Sequence, residues 1–247
     1  MSSGPAPGTD GELIELTRWF PSQRNALKRL GTTLRNSLDE VLDGQRTGRF
    51  DVAQLDDVEK AYLGTKFAIL MGAEFGLRRG QRTRFAIAGH DVEPAFSLDS
   101  TWSIPSGAAG RLCFVVSADD RRSTFDAGLI RTAPGVLKRS SRGRREILPS
   151  ASAKITWLAR AAHLPENALL RLPRSVSSAI MSPDSGQRRI NELFRRVQGQ
   201  LVDRTTVATV GTGVMAESMI AGLLSGDRLG AGQILASHPR AERRAEL

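Results

Sequence analysis

The chain has 247 residues, 40% hydrophobic and 25% charged, an ordinary globular mix that excludes a wholly disordered chain, a coiled coil or a collagen-like repeat. No apolar run approaches the ~20 residues of a membrane span. Met1 to Asp10 has no basic start followed by an apolar core, so it is not a signal peptide, and the single cysteine, Cys113, excludes a disulfide framework and a Cys-based zinc site. A cytoplasmic protein with no membrane association is expected. Net charge is +9, with Arg outnumbering Lys 30 to 5. Residues 1–100 are net −1, 101–200 net +10 and 201–247 neutral. A bias toward arginine explains the choice of Arg but not the clustering, and a basic face of this size suits DNA or RNA.

In chain order, residues 1–10 read as a disordered tail. Leu27, Leu30, Leu34, Leu38 and Val41 recur at helical spacing and predict a helix ending at Asp43-Gly44, weakened slightly by Gly31. A second helix is predicted after Asp51, fading near Gly72 to Gly76. Residues 85–97 predict a hairpin around Gly89-His90-Asp91, with Pro94 requiring an edge or a bulge because proline cannot donate to the ladder. Residues 111–118 and 124–131 predict further antiparallel strands, and 138–145 a basic loop. Helices are expected at 151–162, 174–181 and 186–198, with short strands at 168–172 and 205–210. The order predicts an α/β or α+β fold around one central sheet.

Several segments resemble the NaeI family of type II restriction endonucleases. They include "LDGQRTGR" (42–49), Glu59-Lys60, Gly64-Thr65, "IAGHDVE" (87–93), Leu112 to Val116, Ala118-Asp119-Asp120, Leu164 to Asn167 and "SGQRRINELFRRVQGQLVDR" (185–204). The likeness covers roughly residues 35–210 and keeps its order. It implies a homodimer that cuts duplex DNA with Mg²⁺, and a PD-(D/E)xK core in which a mixed sheet is flanked by helices. Such chemistry needs a hard divalent cation on carboxylate oxygens, and a lysine that offsets developing charge.

Carried over position by position, the helix acid falls on Ala68, the first-strand acid on Arg84, and the D-x-K pair on Glu93 and Ala95. Only Glu93 keeps a carboxylate. Asp91 shares its strand face and is the neighbour available to a metal. Glu74 and Lys66 lie off the Ala68 face. A working nuclease is therefore not expected, and a non-catalytic DNA-binding or dimerising remnant is the alternative.

The expected phosphate-contacting residues are Arg46 and Arg49 after the Asp43-Gly44 turn, and Arg188, Arg189, Arg195 and Arg196 on the 186–198 helix. "VLDGQR" (41–46) also resembles the DNA-ligase K-x-D-G motif, but Val41 stands where the nucleophilic lysine would be. His90, His163 and His238 have no metal-ligand spacing.

Residues 210–247 are similar to the N-terminus of pyrroline-5-carboxylate reductase. Gly211, Gly213 and Ala216 form a G-x-G-x-x-A after the expected strand 205–210, and Ser237 to Arg240 follow it. The organisation expected is a tail (1–10), a NaeI-like domain (11–210) ending where the likeness stops, and a truncated Rossmann-like βαβ tail (211–247) too short to complete a site. A fragment of an NADP-dependent reductase is a third reading.

Overall fold

The computed structural model describes residues 10–139 and 145–197 together with Thr206, Val207 and Val210. Two compact units emerge, one built from residues up to 41 and 56–166, the other from 42–55 and the residues after 166.

The first unit is organised by a five-stranded mixed sheet. Its strands are β1 (Phe85–Ile87), β2 (His90–Ser97), β4 (Leu112–Asp119), β5 (Thr124–Arg131) and β8 (Thr156–His163), in the order β1-β2-β4-β5-β8. Ala88 and Gly89 both take positive φ, the two-residue turn that closes a hairpin. β2 runs parallel to β4, whereas β4, β5 and β8 are antiparallel neighbours. The expected mixed sheet is thus present, with 111–118 parallel rather than antiparallel to β2, because β3 (Ser103–Ile104) and a 3₁₀ turn intervene before the chain returns. The last β1 partner stands opposite Val92, so Pro94 lies past the end of β1, as a missing N–H requires.

Helices α1 (Gly11–Ser22), α2 (Ala26–Leu42) and α4 (Asp57–Phe75) accompany this sheet. Phe20 of α1 stacks on Phe114, and Phe67 of α4 meets Phe96. Asp56 and Glu59 form a reciprocal capping box that starts α4 at Asp57, after a separate 3₁₀ turn at Val52–Gln54. α1 was not foreseen. Its signal is Leu13, Leu16 and Phe20 behind Asp10, which caps the helix instead of continuing the tail. Gly31, the weak point of the second helix in the sequence, has a positive role. A Cβ there would lie 2.7 Å from the His163 carbonyl, so the missing side chain lets α2 approach the end of β8.

A three-stranded sheet β3-β7-β6, with β6 (Leu137–Arg139) and β7 (Arg145–Ile147), covers one face of the large sheet. Trp102, Ile104 and Ile147 from that side bury Ala95, Cys113, Val115 and Ile130. The expected 138–145 loop is thus partly strand, and residues 140–144 lie outside the described residues. The helix predicted at 151–162 is instead a 3₁₀ turn (Pro149–Lys154) followed by β8. Ile155-Thr156-Trp157 is β-favouring, and β5 supplies a partner that a helical reading of local spacing cannot see.

The second unit contains α3 (Gly44–Thr47), α5 (Ala168–Arg171), α6 (Arg174–Met181) and α7 (Gly186–Arg196). Its core joins Phe50, Leu169, Ile180, Met181, Ile190 and Leu193. The strand predicted at 168–172 is a short helix, because Asn167 caps it by accepting the Leu169 N–H at 3.2 Å. Of the strand predicted at 205–210, Thr206, Val207 and Val210 are helical. The i, i+3 spacing of Val207 and Val210 sets both into the α7 core.

Candidate active site and nucleic-acid interface

β2 carries Glu93 and Ala95, the pair expected from the sequence as second-strand site positions, together with Asp91. Strand alternation sets Asp91, Glu93 and Ala95 on one face. Parallel register places Glu93 beside Cys113 and Ala95 beside Val115. Glu93 is half-buried and accepts the Arg84 N–H at 2.9 Å. Burial raises its carboxyl above the usual range, against the pull of that N–H and of the Arg84 charge. Burial, and next the Glu93 charge, push the Cys113 thiol up to about 12, so it is inert. Asp91 accepts the N–H groups of Gln81 at 2.8 Å and Arg82 at 3.1 Å, with Arg111 3.7 Å away. Both acids therefore hold the backbone of residues 81–84, which leads into β1.

The other matched positions are apolar or cationic. Ala95 is 5% exposed and packs with Trp102, Cys113 and Val115. Ala68 is buried on α4, a helix whose Phe67 meets Phe96 on the opposite face of β2. Arg84 is exposed. Nearby groups do not substitute for them. Glu74 pairs with Arg29 at 2.6 Å, and Lys66 pairs with Glu40, whose hydrogen bond raises the lysine pKa. A magnesium ion asks for several hard oxygens in octahedral array. Two carboxylates bound to main-chain N–H groups, beside an apolar wall, do not fit it. No group of three or more His, Cys, Asp or Glu that could hold a metal occurs among the described residues.

The expected phosphate contacts divide by exposure. Arg189 is 5% exposed and donates to the carbonyls of Gly44 at 2.7 Å, Gln45 at 2.9 Å and Pro183 at 2.7 Å. Buried and bound to three carbonyls, it is a positioning residue rather than a surface cation. It ties α7 to the Asp43–Gly48 turn, whose ends both take left-handed backbone. A Cβ on Gly48 (φ +72°) would stand 2.9 Å from the Met181 carbonyl and 3.1 Å from the Arg189 guanidinium. Arg49 is half-buried in the same turn. Arg46, Arg188 and Arg195 are largely exposed and, among the described residues, pair with local Asp43, Asp184 and Glu192, while Arg196 shares Glu192. Exposed i, i+3 and i, i+4 pairs are weak, so these arginines can exchange partners for a polyanion.

The geometry joins segment 42–49 to segment 185–196 through Arg189, and both carry the sequence resemblance. The sequence model of the family described as "Restriction endonuclease NaeI" matches residues 17–219. The chain belongs to the NaeI restriction endonuclease family. It is similar to the "Type II restriction enzyme NaeI" of Lentzea aerocolonigenes, 38% identical over 191 residues, 74% of this chain and 60% of that enzyme. The chain thus spans about three-fifths of the length of this NaeI relative.

The NaeI match corrects the expected end of the likeness at residue 210, since it runs on to 219 across Gly211, Gly213 and Ala216. Those three residues lie outside the described residues. The strand that the dinucleotide fingerprint needs before them is helical at its described positions. The reductase reading has neither support. Among the described residues no helix is long and apolar enough to cross a membrane.

Proposed function

We propose that the chain is a cytoplasmic, homodimeric DNA-binding member of the NaeI family that does not cleave, a pseudoenzyme. The observation that carries this reading is the state of β2. Glu93 is the one carboxylate at the four matched positions, and it is bound to the Arg84 N–H. The lysine position, Ala95, is sealed in an apolar cluster. Groups that act as a catalytic unit lose most of their rate when one is removed, and three of the four are substituted here. No step through Mg²⁺ is derived, because the donor set does not fit it.

DNA binding is supported by the +10 charge of residues 101–200 and by exposed Arg46, Arg188, Arg195 and Arg196. Phosphate contacts of this kind position a duplex without reading its bases. Binding should be weak, on the order of micromolar, and steeply salt-dependent. Replacing Arg188, Arg195 and Arg196 by Ala should flatten the slope of log affinity against log salt; an unchanged slope would remove α7 from the interface. The decisive assay is gel electrophoresis of supercoiled plasmid incubated with the protein and Mg²⁺, with EDTA as control. The plasmid should remain supercoiled. EDTA-sensitive linearisation would overturn the reading, and Asp91 and Glu93 would then be the first residues to mutate.

A further inference from the structure

β6 and β7 carry a basic feature that neither the matched active-site positions nor α7 accounts for. Their register sets Lys138 opposite Glu146 and Arg139 opposite Arg145. The first is an opposite-charge pair, 3.8 Å apart. The second holds two exposed guanidinium groups directly across the ladder, an arrangement that like charges make unfavourable. Both arginines border a pocket of about 460 Å³ whose wall also includes Gly110, Thr132, Gly135 and Lys138. None of the described residues lining it is acidic. Two like charges held in register on the rim of a concavity are relieved by a shared anion. The planar guanidinium fork matches phosphate oxygens in two-point contacts.

We propose that Arg139 and Arg145 form a phosphate-binding site at this pocket. The ligand is a phosphate group, from a nucleic-acid backbone or a free anion. The backbone form rests on the DNA-binding reading above and adds a contact in the first unit; the free-anion form stands without it.

Two measurements on the full chain and on the Arg139→Ala/Arg145→Ala variant separate the sources. Thermal unfolding in sodium phosphate against sodium chloride at matched ionic strength reads the free anion. Phosphate stabilises folds generally by exclusion, so the readout is the extra Tm shift of the wild type over the variant. Fluorescence anisotropy of a labelled duplex across a salt series reads the backbone. Loss of two phosphate contacts should lower the log–log salt slope by about 1.8. In chloride alone the single variants should be at least as stable as the wild type, because repulsion is removed; a merely structural role would lower their Tm. A slope change without an extra phosphate shift assigns the site to nucleic acid, and the reverse assigns it to a free anion. If the wild type binds no duplex but keeps the phosphate shift, the DNA reading falls and the site stands. Neither change, or a Tm fall in both single variants, overturns the site.

Discussion

β2 and the Arg189 junction handle charge in opposite ways, although both come from segments shared with the NaeI family. At β2 the acids are half-buried on a strand and meet main-chain N–H groups. Ala95, where a lysine was expected, is part of a hydrophobic layer. At the junction a cation is buried and donates to three carbonyls. A family segment can thus persist as scaffold in one unit while its chemical counterpart in the other is absorbed into packing. Burial and partner count distinguish the two cases, and residue type alone does not.

The largest effect expected from breaking this contrast is Ala95→Lys. It sets an ammonium in an apolar cluster, where Glu93 on the same strand face is half-buried and already engaged by the Arg84 N–H. The cost should be several kcal/mol. Trp102 lies in the same cluster, so tryptophan fluorescence in urea should show a sharply lowered midpoint. An unchanged midpoint for Ala95→Lys would mean that the side chain reaches water, and would reopen the site.

Next comes Arg189→Ala, which removes three charge-assisted hydrogen bonds and strands buried carbonyls. A loss of about 3 kcal/mol is expected. Hydrogen exchange should speed up in both 44–50 and 186–196, two stretches far apart in sequence. Arg188→Ala, on the same helix but exposed, should stay within about 0.5 kcal/mol of the wild type. Protection lost in only one stretch would deny that Arg189 couples them.

Asp10 gives a smaller, pH-marked effect. Arg131 donates to it at 2.9 Å, and that hydrogen bond leads the causes holding its carboxyl below the usual range. An acid with a depressed folded pKa stabilises the fold above its unfolded value and loses that contribution as pH falls through the folded one. Asp10→Asn should therefore cost about 2 kcal/mol at pH 7. Its Tm curve should converge on that of the wild type in strong acid. A constant gap down to pH 2 would show that the loss does not come from the Asp10 charge.

Much of the fold was legible because local pattern and tertiary partner agree. α2, α4, α6, α7, the 85–97 hairpin and the β4 and β5 strands are cases of this kind. β8 was not legible, since its apolar and small residues fit a helix until β5 is known to run beside them. The 205–210 segment failed for the converse reason: β-branched residues sit in a helix because α7 offers a core to Val207 and Val210. At the site, the sequence resemblance alone put forward positions 68, 84, 93 and 95. The burial of Ala95 and Arg189 was not, because both depend on chain segments distant in sequence. Nothing local in R-R separates the exposed Arg188 from the buried Arg189. The hint was the pairing of Asp43-Gly44 and Gly48 with an arginine on another element, which only the fold supplies.

The smallest effect expected is also the most diagnostic for β2. Burial raises the Glu93 carboxyl above its ordinary value. An acid whose folded pKa is raised costs stability at pH above that value, and the cost disappears as pH falls below the unfolded one. Glu93→Gln keeps an oxygen for the Arg84 N–H and removes the charge. It should raise Tm slightly at pH 7, by less than about 1 kcal/mol of stability because the residue is half-exposed. The gain should vanish near pH 4. If Mg²⁺ were held by Glu93 and Asp91, millimolar Mg²⁺ would raise the wild-type Tm and leave the variant unchanged. Equal Tm values with and without Mg²⁺, together with the pH-dependent gain, fit an acid that serves the backbone. A Mg²⁺-dependent rise confined to the wild type would restore the metal to β2.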